Sequence, residues 1–202
     1  MKKAGISACA AGAVINFILF ITKMYIGISS CSLSIYCDGI NNLGDVLTCA
    51  AALSGFFFIA RLKDENKGRR AESLLSFVIN LVICAAGIYF AYSGIERFLY
   101  PLPVSFSVKY AVIISAAVIV KILLAAVFAA LNKKSPSNVL KAFFLDSVLD
   151  SAVGIVTLVS LFITIRINYA ADGVFAIIIG AVITVFAVKG VIREAKFIIN
   201  NQ

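Results

Sequence analysis

Six long apolar runs fill almost the whole of a 202-residue chain, at about 6–28, 33–60, 73–93, 108–131, 139–165 and 173–192. A helix needs roughly 20 mainly apolar residues to cross the hydrocarbon layer of a bilayer. Helices also satisfy their own backbone hydrogen bonds, which lipid cannot do for them. The pattern therefore predicts an all-α integral membrane protein with six transmembrane helices. Hydrophobic residues make up 62% of the chain and charged residues 14%. Soluble domains run at about 45–50% and roughly 25%, so a soluble enzyme, a disordered chain and a secreted disulfide scaffold all fit poorly. The first run follows Met1-Lys2-Lys3 as a signal peptide would. It is too long for one and holds Asn16 and Lys23, so it reads as a retained first span.

The charges give this frame an orientation. The net charge is +8, and in a membrane protein Lys and Arg collect in cytoplasmic loops. Four basic groups fall on one side of a six-span topology. They are Lys2 and Lys3; Arg61, Lys63, Lys67, Arg69 and Arg70; Lys133, Lys134 and Lys141; and Arg193 and Lys196. The opposite loops, 29–32, 96–109 and 166–172, are poorer. Both termini are thus expected in the cytoplasm, in a bacterial-type plasma membrane, with the lipid bilayer and no nucleic acid as partner. The tail after the sixth run is too short to bury a core. A single membrane domain over 1–202, without a soluble C-terminal domain, is expected.

The chain has no histidine, which removes the commonest transition-metal ligand and the usual proton switch near neutral pH. The cysteines, Cys9, Cys31, Cys37, Cys49 and Cys84, match no zinc motif or disulfide framework. They read as small apolar packing residues. No nucleophile–base set or cofactor loop is present, so the chain is not expected to be an enzyme or to hold a resident cofactor.

Against this background the polar residues inside the runs stand out. The second run carries Asp38, Asn41 and Asp45, and the fifth carries Asp146 and Asp150. At roughly 2.5–3.5 kcal/mol per central Asp, the four carboxylates cost about 10–14 kcal/mol on insertion. Ionisable residues at such depth mark function. Asn41 and Asp45 are spaced i, i+4, as are Asp146 and Asp150, so each pair shares one helix face. Two such faces opposed place four oxygen-bearing side chains around one point, near the bilayer midplane, enough for a divalent cation. Segment 32–45 also aligns with 137–150, setting Asn41 on Asp146 and Asp45 on Asp150. Each pair then sits in the second span of a three-span half, and two inverted three-helix repeats with a midplane site are a recurring transporter plan.

The alternative is that these groups are inter-helix hydrogen-bond glue. Asp38 lies nearer the outer end of its span. It could support the ligands from behind, line an entry path, or be a solvated helix end. Lys23 and Lys121 are expected to snorkel or to pair with an acid. Asn16 and Asn80 read as inter-helix hydrogen-bond partners rather than ligands.

Ser32-Leu33-Ser34 followed by Asp38-Gly39-Ile40-Asn41-Asn42-Leu43-Gly44-Asp45 resembles the second-span signature of the cation diffusion facilitators. Lys23 resembles their frequent lysine late in span 1. Gly68-Arg69-Arg70-Ala71-Glu72 is similar to the end of their glycine-histidine-glycine-arginine-x-glutamate segment. Asp146-Ser147-Val148-Leu149-Asp150 resembles their span 5 acidic pair. The resemblance covers almost the whole chain. It implies efflux of a divalent metal from the cytoplasm in exchange for protons, by a homodimer, with the transport site on Asn41, Asp45, Asp146 and Asp150.

Zinc-transporting members place histidine in one or both pairs, and the all-oxygen set here resembles manganese-exporting members. Ligand chemistry agrees, because oxygen donors suit Mn²⁺ and imidazole or thiolate suits Zn²⁺. The chain departs from the family in lacking the histidines of the loop between spans 2 and 3, and the soluble domain that many members use to dimerise. The reading is therefore an Mn²⁺/H⁺ antiporter. The alternatives are efflux of Zn²⁺, Fe²⁺, Co²⁺ or Cd²⁺ by the same site, transport of another substrate such as an organic cation, and a non-transporting membrane regulator.

Overall fold

The computed structural model describes residues 2–62, 65–105, 107–134 and 138–200. Lys63 lies outside the described residues, and so do the side chains, though not the backbone, of Lys2, Lys3, Arg61, Lys67, Arg69, Glu72, Lys134 and Lys141. The chain forms six helices: α1 (Lys2–Ser30), α2 (Leu33–Leu62), α3 (Glu65–Leu99), α4 (Val108–Lys134), α5 (Asn138–Arg166) and α6 (Ala170–Asn200). At about 1.5 Å per residue, even α4 with 27 residues spans roughly 40 Å, more than the ~30 Å hydrocarbon layer.

Over their described residues, five of these helices are both long and apolar enough to cross a membrane. The exception is α2, which carries Asp38, Asn41, Asn42 and Asp45 within eight residues. Helices α1, α3, α5 and α6 all pack against it and leave Asp38 and Asn42 fully buried. The outward surfaces are apolar, with Phe17, Ile21, Val78, Val82, Ile119 and Leu123 among the exposed side chains, as lipid contact requires.

The tightest pairing joins α3 to α6 along a row of glycines. Gly94 faces Gly173 and Ile177, and Gly87 faces Gly180 and Thr184. A Cβ at Gly180 would lie 2.7 Å from the backbone nitrogen of Ala91 and the carbonyl oxygen of Gly87. Lipid is as apolar as leucine, so helices in it associate by close contact, which small residues permit. Gly12 is different, because a Cβ there meets only Cys49 Sγ at 3.7 Å and Phe128 at 3.9 Å. Opposite signs are therefore expected for two like substitutions. Gly12→Ala gains about 0.5–1 kcal/mol of helix stability. Gly180→Ala loses about 1–3 kcal/mol by overpacking. Thermal unfolding of the two variants in detergent checks this, and equal midpoints would sink it.

One end of the bundle is stapled by a single carboxylate. Asp172, in the first turn of α6, accepts hydrogen bonds from Ser32 Oγ (2.7 Å), Leu33 N (2.7 Å), Ser34 N (3.2 Å) and Ser34 Oγ (2.6 Å). It thereby caps the N-terminus of α2 from another helix, satisfying donors that the helix itself leaves orphaned. Arg97, in the last turn of α3, lies with Nε 3.6 Å from Asp172 and also donates to the carbonyl of Cys31. Cys31 makes the turn from α1 to α2 at φ 54°. It is exposed, whereas Cys9, Cys37 and Cys49 are buried, so packing explains the buried cysteines but not Cys31.

Candidate metal site

Asp45 and Asp150 each lie twelve residues after the start of their helices, and both are buried. Where α2 meets α5, the carboxylates of Asp45, Asp146 and Asp150 offer one oxygen each, all within 4.8 Å of one another. Asn41 joins them by donating its Nδ2 to Asp150 Oδ1 at 2.7 Å. The structure thus brings the four residues marked by the i, i+4 spacing to one place. It differs in one respect from four oxygens around a point. Asn41 turns its amide nitrogen toward Asp150, so the oxygen cluster is made by the three carboxylates.

A cavity of about 410 Å³ reaches the cluster, with Asn41, Asp45, Asp146 and Asp150 in its wall. Gly190 and Arg193, near the end of α6, line it too. Asp146 is exposed, whereas Asp150 is 4% exposed. Along this wall exposure falls from Asp146 to Asp150. Three carboxylates converging within reach of one ion suit a hard divalent cation, which takes oxygen ligands.

Lys121, in α4, completes the cluster. It is 1% exposed, so it does not snorkel. Its Nζ donates to Asp45 Oδ2 at 3.1 Å and to Asp150 Oδ2. Lys23 is also buried, and its Nζ donates to Asp38 Oδ1 at 2.8 Å. Pairing with an acid is thus the outcome for both lysines. Asp38 is fully buried and is neither a solvated helix end nor among the residues lining the cavity. Its carbonyl oxygen accepts from Asn42 Nδ2 at 2.7 Å.

The remaining asparagines depart from expectation. Asn80 donates to the carbonyl of Ser76 on its own helix rather than across to another. Asn16 is buried, and its Oδ1 accepts no hydrogen bond among the described residues.

Two residues of consequence escaped the sequence pattern. Lys121 was visible as an intramembrane charge, but nothing local ties it to this cluster. Asp172 sat in a loop noted only for its low positive charge.

Residues 10–198 match the family model described as the cation efflux transmembrane domain. An uncharacterized transporter of Methanocaldococcus jannaschii is 27% identical over 171 residues, which cover 83% of this chain and 60% of that relative. The chain matches about three fifths of the length of this curated relative.

Proposed function

The chain belongs to the cation efflux transmembrane domain family, and from that premise we propose that it exports a divalent metal cation, Mn²⁺ in preference, in exchange for protons. The observation that carries the reading is the cluster of Asp45, Asp146 and Asp150 in a multi-pass membrane protein, reached from a cavity. Its donors are oxygens, and carboxylate oxygen suits Mn²⁺ better than Zn²⁺.

Proton exchange follows from the same residues. A carboxylate must be deprotonated to ligate, so metal binding releases protons. Three carboxylates around one point titrate as a group rather than singly. Metal enters from the cavity, the carboxylates give up protons to it, and protons displace it after the helices rock. The two three-helix halves act as inverted repeats about the site. With the termini on the cytoplasmic side, the cavity by Arg193 faces the cytoplasm and the Asp172 staple closes the outer end. A homodimer formed through membrane contacts, in the plasma membrane, completes the reading.

The test is Mn²⁺ flux in proteoliposomes under an imposed pH gradient, with Zn²⁺ as competitor. Gradient-driven flux is expected in the wild type. It should fall more than about 100-fold in Asp45→Ala, since even residues that only support a ligand are worth 10–100-fold. Flux indifferent to the gradient removes proton exchange. Absence of flux in folded wild-type protein removes transport and favours a regulator. Stronger competition by Zn²⁺ than by Mn²⁺ itself reassigns the metal.

A further inference from the structure

A lysine at a cation site is out of place on charge alone, and this one is embedded in it. Lys121 uses Oδ2 of both Asp45 and Asp150. A divalent cation held between Asp45, Asp146 and Asp150 needs oxygens of those same carboxylates. The ammonium reaches them from α4, a helix that contributes none of the carboxylates. Lys121 is itself 1% exposed. The structure offers no other side-chain hydrogen bond or ion pair to its Nζ among the described residues.

From this geometry, and resting on the transport reading above, we propose that Lys121 is a tethered counter-ion that competes with the cargo for Asp45 and Asp150 and makes the site select divalent over monovalent cations. The charge balance gives the reason. In the metal-bound state, where ligation requires all three carboxylates to have lost their protons, the cluster and a charged Lys121 sum to −2 before the cargo's own charge is added. One divalent cation brings that to zero, whereas one monovalent cation leaves a net negative charge buried, which is costly. Without the ammonium the same carboxylates carry −3, and no single divalent cation neutralises them. A monovalent ion could then bind in addition or instead.

In this exchange only the position of the lysine changes. When cargo arrives, the ammonium yields the oxygens and remains nearby as a repelling charge. When protons have displaced the cargo, the ammonium returns to its contacts with Asp45 and Asp150. The competition weakens binding and speeds release, which a carrier needs because it must let go of what it holds. Lys121 is thus a specificity-determining residue that acts through the ligands without being one.

The experiment is calorimetric titration of Mn²⁺ into the full chain in detergent micelles. Wild type and Lys121→Met are compared in sodium buffer and in N-methylglucamine buffer of equal ionic strength. Removing one charge about 4 Å from a bound ion at an effective dielectric near 20 predicts Mn²⁺ binding at least about 10-fold tighter in Lys121→Met. Sodium should weaken Mn²⁺ binding in the variant and leave the wild type unmoved.

A merely structural lysine would give the opposite sign, because a damaged site binds more weakly. Lys121→Gln keeps an amide donor for one carboxylate and carries no charge. It takes the place of Lys121→Met if that variant does not purify as folded protein, with the same gain in affinity expected. Unchanged or weaker binding in the folded variant, with normal binding in the wild type, overturns the proposal while leaving the transport reading intact. Failure of Mn²⁺ to bind the folded wild type overturns the transport reading, and the proposal with it.

Discussion

Asp150→Ala is expected to abolish metal flux, with a loss of more than about 100-fold and the fold intact. Asp150 holds the centre of the cluster. Its Oδ1 accepts from Asn41 and its Oδ2 from Lys121, and it is one of the three carboxylates that converge. Alanine removes one of the three converging carboxylates, frees the Asn41 amide and leaves two carboxylates to balance a divalent charge beside an ammonium. The fold survives because Lys121 keeps its bond to Asp45. The measurement pairs Mn²⁺ flux with the unfolding midpoint in detergent. Flux within a few-fold of wild type would sink the assignment of Asp150 as a ligand. A collapsed midpoint would instead place it among the structural ion pairs.

The second large effect is on stability. Lys23 and Asp38 form a buried pair at 2.8 Å, both within 2% of complete side-chain burial. Lys23→Met leaves the Asp38 carboxylate without its cation. Removing one partner of a buried pair costs about 3–5 kcal/mol, because the other charge stays behind in a medium that does not solvate it. Replacing both partners is often neutral or stabilising, so Lys23→Met with Asp38→Leu should recover most of the loss. The double variant also decides what Asp38 does. Recovered stability with normal flux makes the pair structural. Recovered stability with lost flux puts Asp38 on the cargo path. If the single variant unfolds at the wild-type midpoint, the pair contributes nothing.

The six helices could be read from the chain because lipid allows so few solutions, and each apolar run became one helix. The ends were less legible. The run expected at 73–93 became Glu65–Leu99, since hydropathy marks the part that lies in lipid and a helix continues beyond it into polar sequence. Asn41, Asp45, Asp146 and Asp150 were legible because an i, i+4 pair of polar groups in an apolar run has no local reason to exist. Lys121 was not assignable, because its partners lie 76 and 29 residues away on other helices and no period in the chain encodes which helices touch. Asp172 failed for the same reason, with its partners some 140 residues distant. The glycines of α3 and α6 were each visible, but their mutual register is set only when the helices meet.

That glycine register divides the molecule into parts that answer to different forces. Where Gly87, Gly94, Gly173 and Gly180 bring two backbones together, cohesion comes from dispersion over a few ångströms. Such a joint is indifferent to membrane voltage and to ionic strength. The carboxylates and ammonium shared by α2, α4 and α5 are the reverse, since an elementary charge carried across the membrane field responds by about 2.3 kcal/mol per 100 mV. The α3–α6 pair is in effect an insulated chassis, and the cluster beside it an electrode. On the rocking mechanism proposed above, a swing in membrane potential would load the electrode while the chassis keeps its shape, a fixed body for the helices that rock to push against.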